Sequence, residues 1–136
     1  MKYIASCSCG KDSLAMVLTL IEKKAPLDCV IFFNAGKEFK SIYRNWDKLK
    51  VILTENNIEA VTLTPNKPFD YYFSEHKIKT RDGSKKFGYS WCGGRCRWMT
   101  QFRVRAIGKF YKEHFKDEII VEYIGIAKGE VERVNI

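Results

Sequence analysis

The sequence predicts an α/β fold in which helices pack on an open, mainly parallel sheet of about four strands. Three observations carry that expectation. Short apolar runs alternate with stretches of helical periodicity along the chain. One of the runs, Asp28–Phe33, is continuously apolar after its first residue, the pattern of a strand buried on both faces. Each polar or glycine-bearing motif follows such a run, at the strand ends where open α/β sheets bind their ligands.

Residues 2–8 read as a first strand, and helix one runs from Lys11 to Lys24 with Leu14, Val17, Leu18 and Ile21 facing inward, before Pro26. The second strand, Asp28–Phe33, ends in Asn34-Ala35-Gly36. Helix two covers Ser41–Asn56, with Ile42, Trp46, Leu49 and Leu53 on one side. Ile58–Leu63 is a third strand, closed by Pro65. Residues 65–97 lack sustained periodicity, and so long a loop in a compact domain is functional or mobile as a rule. Helix three spans Met99–His114 and buries Phe102, Ala106 and Phe110, and a fourth strand, Ile119–Ile124, follows.

The chain has 136 residues, the size of one domain, with 46% hydrophobic and 14% aromatic residues, which excludes a disordered chain. No apolar run approaches the roughly 20 residues of a membrane helix, and the N-terminus turns polar too early for an export signal. A cytoplasmic location without membrane contact is therefore expected. Five cysteines, an odd number, then read as reduced thiols or metal ligands. Cys29 reads as a small buried hydrophobe, and Cys7 and Cys9, two apart, share a face if they lie on a strand. The net charge of +8 is concentrated: residues 77–105 hold nine basic residues against one acid, Asp82.

The most informative stretch is Ser8-Cys9-Gly10-Lys11-Asp12-Ser13, between an apolar strand and Leu14-Ala15-Met16-Val17-Leu18. A strand that turns directly into a helix leaves backbone N–H groups free at the helix start, where they and the helix dipole favour an anion. Lys11 adds a charge, and Ser8 and Ser13 add hydroxyl donors. The spacing is not that of a Walker A loop.

Ser-x-Gly-Lys-Asp-Ser resembles the pyrophosphate loop of PP-loop ATP pyrophosphatases and phosphoadenosine-phosphosulfate (PAPS) reductases. Cys9 stands where that family usually has glycine, and its Cβ is expected to crowd the phosphate approach. Asn34-Ala35-Gly36-Lys37-Glu38-Phe39 is similar to the family's Asp-Thr-Gly-x-Glu-Phe stretch beside the nucleotide, departing from it at Asn34 and Ala35. Gly88–Trp98 resembles the Trp-Cys segment before the corresponding helix. For that segment the readings are arginine contacts to phosphate or sulfate, a metal or cluster site, and plain packing. Gly125-Ile126-Ala127-Lys128-Gly129-Glu130-Val131-Glu132-Arg133 resembles Gly-Ile-x-x-Asp-Glu-x-x-Arg, with Gly129 in place of the acid.

The resemblance implies a three-layer, Rossmann-type sandwich of the adenine nucleotide alpha hydrolase-like kind. It implies binding of ATP or a PAPS-type nucleotide, with magnesium for cleavage between the α and β phosphates. Lys11 and Asp12 are the implied catalytic residues. Ser8, Cys9, Gly10, Lys11, Asp12, Ser13, Asn34, Gly36, Glu38, Arg95, Gly125, Glu130 and Arg133 are the implied nucleotide contacts. Cys92 and Cys96 are the candidate ligands for zinc or an iron–sulfur cluster. Family members usually continue into a C-terminal region carrying a Cys-Gly-Leu-His-type tail, which these residues do not include. Sulfonucleotide reduction by this chain alone is therefore not expected, and a second copy or a partner chain would supply the missing part. Two alternatives accompany this reading: a catalytically silent nucleotide-binding module, and a nucleic-acid-associated subunit of a sulfur-modification system acting through residues 77–105. His76 and His114 read as solvent-facing or packing residues. Tyr71, Tyr72 and Phe73 read as a small satellite core or as a stacking platform for a base.

Overall fold

The computed structural model describes residues 1–91 and 98–130. Its centre is a four-stranded sheet, β1 (Lys2–Ser6), β2 (Cys29–Phe33), β3 (Glu59–Leu63) and β6 (Ile120–Tyr123), in the order β3-β2-β1-β6. All three pairings are parallel. The chain steps outward from β1 to β3, then returns across to pair β6 with the other side of β1. The direction reverses at β1, so the crevice beyond the ends of β1 and β6 is a topological switch point.

Alternation along the strands sorts the core into two layers. Ala5, Cys7, Val30 and Phe32 face α1 (Lys11–Glu22) and α2 (Lys40–Glu55), whose Val17, Trp46, Leu49 and Leu53 complete that cluster. Ile4, Cys29 and Ile31 face α3 (Trp98–His114), where Phe110 is buried and Ile107 and Tyr111 pack. The expected three-layer sandwich is present. All five residues of β2 are buried, as its unbroken apolar run requires.

Both helices before the third strand end in the same way. The Ala25 amide donates to the Leu20 carbonyl and the Lys24 amide to Ile21, with Lys24 at φ +50°. Ile58 donates to Leu53 and Asn57 to Thr54, with Asn57 at φ +57°. These are Schellman closures, which satisfy the last carbonyls and turn the chain toward the next strand. The helix thus stops at Glu22, before Lys24, because the closure and not Pro26 ends it. Leu18 is 43% exposed, against the expectation that it faces inward. The inward stripe runs Leu14–Val17–Ile21, and Met16 packs beside it while Leu18 falls off its shoulder.

The largest departure from expectation is residues 65–97. Their described part holds a π-helical turn, Tyr71–Glu75, and an antiparallel hairpin, β4 (Lys77–Lys79) with β5 (Lys85–Phe87). Asp82 closes the hairpin by accepting hydrogen bonds from the Thr80 and Ser84 hydroxyls and the Ser84 amide. These bonds hold its carboxyl down to about 2, the Thr80 bond most. Gly88, Tyr89 and Ser90 then donate to the carbonyls of His76, Tyr72 and Phe73, zipping the hairpin's exit to the π turn. Gly88 is required there: its φ is +68°, and a Cβ would sit 2.1 Å from the Phe73 carbonyl oxygen. Tyr72, Tyr89, Trp98 and Phe102 form the satellite core, with the Tyr89 and Trp98 rings stacked at 5.3 Å. His76 is partly buried and stacks on Tyr89, and His114 stacks on Phe110 while remaining exposed to solvent. Among the described residues no helix is long and apolar enough to cross a membrane.

Candidate functional site: the β1–α1 loop at the switch point

The site grows out of β1. One residue past the strand, the Cys7 amide still donates to the Ile31 carbonyl at 2.9 Å. The chain then lifts off β2, passes through Cys9 at φ +59°, and enters α1 from an extended Gly10. No side chain caps α1. Its ladder begins with Leu14 N–H to the Gly10 carbonyl at 3.0 Å. The amides of Lys11, Asp12 and Ser13 precede it and have no intrahelical acceptor, so the positive end of the helix dipole is presented bare.

Hydroxyls line this opening. Ser8 Oγ and Ser13 Oγ are 3.1 Å apart, and Ser13 Oγ donates to the Gly10 carbonyl at 3.2 Å. Lys11 and Asp12 are exposed, and among the described residues Lys11 has no ion-pair partner. The turn after β6 closes over the helix start: a Cβ on Gly125 would meet Ser13 Cα at 3.5 Å and the Asp12 carbonyl oxygen at 3.7 Å. The first and last of the four sequence motifs therefore meet. Glu130 lies further on and accepts from the Ala127 amide in its own turn.

The Cys9 side chain, expected to crowd the loop's opening, points away from it. It is wholly buried in the α1–α2 core cluster, with its sulfur 3.8 Å from that of Cys7. The left-handed backbone turns the Cβ inward, at a cost of about 1 kcal/mol relative to glycine. The Cys7 thiol is pulled below its ordinary value. The Cys9 side chain contributes most, followed by the Cys9 amide and the Ser13 hydroxyl against the cost of burial. The same contact and burial push Cys9 up. Cys29, buried without such donors, is pushed up to about 12 by burial and by Glu59 and Asp28.

The second motif is braced from α2. Asn34 Oδ1 accepts from the Gly36 amide at 2.8 Å and from the Tyr43 hydroxyl at 3.1 Å, while Tyr43 accepts from the Glu38 amide at 3.3 Å. Asn34 thus shapes its turn, and Gly36 takes φ +91°. Burial raises the Glu38 carboxyl above its ordinary range. Beyond the ends of β2 and β3 lies an open cleft of about 390 Å³ lined by Asn34, Gly36, Lys37, Pro65, Lys67 and Phe69. Lys37 and Asp70 pair across its rim at 3.2 Å.

Two residues escaped the sequence reading. Asn45 reaches from α2 to the Cys9 carbonyl, with its Nδ2 3.1 Å away, and Tyr43 ties Asn34 to Glu38. Nothing local announces Asn45's partner 36 residues away, and Tyr43, packed against the core, reads as one more apolar residue of the helix. Arg95, Cys92, Cys96 and Arg133 lie outside the described residues. Among the described residues no three His, Cys, Asp or Glu side chains are grouped to hold a metal.

The model of the phosphoadenosine phosphosulfate reductase domain matches residues 2–122, from the first residue of β1 to the third of β6. The chain belongs to this family. The match spans the β1–α1 loop and the switch-point strands together. The chain is also 28% identical over 122 residues to "Uncharacterized protein MJ0066" of Methanocaldococcus jannaschii, covering 89% of this chain and 22% of that protein. The chain thus spans about a fifth of that relative's length. No solved structure matches it. The α1 N-terminus, uncapped and flanked by the Ser8 and Ser13 hydroxyls, lies within the matched span.

Proposed function

We propose that this PAPS reductase-family domain binds an adenine nucleotide, ATP or a PAPS-type sulfonucleotide, with its phosphates on the first turn of α1. The observation that carries this reading is the uncapped helix start, with Ser8, Lys11 and Ser13 around it and Gly125 folded over it. Anions bind such a start through free amides and the dipole, and Lys11 adds a charge-assisted contact. Asp12 is the one carboxylate in the loop and the natural partner for a Mg²⁺ held mainly by the substrate phosphates. The base and ribose would extend along the sheet edge toward Asn34, Gly36 and Glu38. Isothermal titration of ATP and PAPS against the protein and Lys11→Ala tests this: a sharp loss supports it, and unchanged affinity removes it. A pyrophosphate-release assay then separates an enzyme from a binding module.

A second reading rests on the β4–β5 ribbon. Lys79 and Lys85 are direct cross-strand neighbours, and Lys77, Arg81 and Lys86 are exposed around them. Like charges placed opposite each other destabilise a ribbon, so their presence favours a polyanionic partner such as a nucleic-acid backbone. Such binding would weaken steeply with salt, by a slope of about 0.9 per phosphate contacted. Absence of binding at low salt would remove this reading.

A further inference from the structure

Cys7 and Cys9 are built into the floor of the phosphate loop in a way that simple packing does not require. All three cysteines are buried, and among the described residues Cys29 on β2 shows what packing without polar neighbours looks like: its thiol is pushed toward the protonated form. The Cys7 sulfur instead gathers polar neighbours. The Cys9 amide is 3.4 Å from it, the Ser13 hydroxyl 3.7 Å and the Cys9 sulfur 3.8 Å. It also lies beneath the start of α1, whose dipole favours negative charge. A sulfur that accepts from a backbone amide, can pass its proton toward the Ser13 hydroxyl and has a second thiol in contact is the arrangement of an attacking and a resolving cysteine.

We propose that Cys7 and Cys9 are a redox-active dithiol that closes to a disulfide under a peroxide and reopens under a thiol reductant. In the forward direction the Cys7 thiolate attacks one peroxide oxygen, the O–O bond breaks, and Cys7 becomes a sulfenic acid as water leaves. The Cys9 sulfur then attacks the Cys7 sulfur, forming the S–S bond and expelling the hydroxyl, which departs as water with the Cys9 proton. The two thiols lose two electrons, and hydrogen peroxide is reduced to two waters. A thiol reductant reverses the bond by exchange.

Closure has a structural consequence. The sulfurs must move from 3.8 Å to about 2.05 Å, which draws on Cys9, whose left-handed backbone sets the loop and whose carbonyl Asn45 holds. Cys7 also touches Ser13 at the phosphate opening. So short a loop gains little entropic stabilisation from its bridge, which suits a reversible bond. The disulfide stands independently of the nucleotide reading, whereas its effect on phosphate binding rests on that reading.

Metal-free, full-length protein is treated with hydrogen peroxide, quenched with an alkylating agent before unfolding, and digested with trypsin. Cleavage after Lys2 and Lys11 releases Tyr3–Lys11, which contains Cys7 and Cys9 and no other cysteine. The expected result is a peptide about 2 Da lighter and unalkylated, restored by dithiothreitol. At neutral pH it should form at least about tenfold faster in the native than in the urea-unfolded protein. A peptide still alkylated on its thiols, one carrying oxygens that the reductant does not remove, or equal native and unfolded rates would overturn the proposal. Cys9→Gly, which suits the left-handed backbone, should leave Cys7 as a sulfenic acid trapped by a cyclic diketone. If this variant does not fold, the wild-type peptide decides alone. Calorimetry with ATP should show roughly tenfold weaker binding to the disulfide form, regained on reduction. Equal affinities would overturn the coupling to the phosphate site, and no binding in either state would instead count against the nucleotide reading.

Discussion

The phosphate loop and the excursion between β3 and α3 are held by different forces. The loop is set by main-chain conformation: a left-handed Cys9, an extended Gly10 and a carbonyl tied to Asn45, over two buried thiols. The groups it presents are largely backbone N–H groups, which side-chain substitutions other than proline leave in place. The excursion is set by side chains, an aromatic stack around Tyr72, Tyr89 and Trp98 beneath a ribbon of lysines. Its tightest main-chain requirement among the described residues is Gly88. The loop therefore offers a fixed site, and the excursion a surface whose chemistry can change while its anchor stays.

The sharpest way to break that separation is Gly88→Ala. The backbone clash and the positive φ together should cost about 3 kcal/mol or more and open residues 70–90. Denaturant unfolding with hydrogen exchange would show this, with ATP affinity held within about twofold. Parallel loss of ATP binding would mean that the two regions are one unit. Lys11→Ala should do the reverse, lowering ATP affinity by about ten- to a hundredfold with stability changed by less than about 0.5 kcal/mol. Asn45→Ala leaves the Cys9 carbonyl without its partner and should cost about 1 kcal/mol of stability, with a several-fold loss of ATP affinity.

Cys29 distinguishes burial from the loop's own electrostatics. Its folded thiol is raised to about 12, so the native state keeps a proton that the unfolded chain releases near 9. Stability from this group is complete below about pH 9 and falls as pH rises toward 12. In urea titrations across that range Cys29→Val should lose less stability than the wild type. The smallest effect concerns the ribbon: Lys85→Glu, opposite Lys79, should stabilise it by about 0.5 kcal/mol while reducing any polyanion binding.

How legible each region was follows from the same contrast. The strands, the helices and the Ser8–Ser13 turn are announced by local apolar periods and by glycine, serine and lysine at a strand end. The helix limits were less clear, because a Schellman closure at Lys24 uses a residue with no special look. The hairpin was missed because β4 and β5 are three residues each and mostly lysine, so no apolar alternation survives, although Asp82-Gly83 marks its turn. At the site, Gly125 was placed by its motif. Asn45 acts through a partner that only the fold brings near, and the inward turn of Cys9 depends on a φ that its identity hides.

The central claim is that the nucleotide's phosphates rest on the first turn of α1 at the β1–β6 switch point. The most direct test is an amide chemical-shift titration of isotope-labelled protein with ATP. The largest shifts should fall on Lys11, Asp12, Ser13 and Gly125, and disappear in Lys11→Ala at the same ATP concentration. Shifts confined to the Asn34–Lys37 and Thr64–Asp70 cleft or to the β4–β5 ribbon, with the α1 amides unmoved, would contradict it.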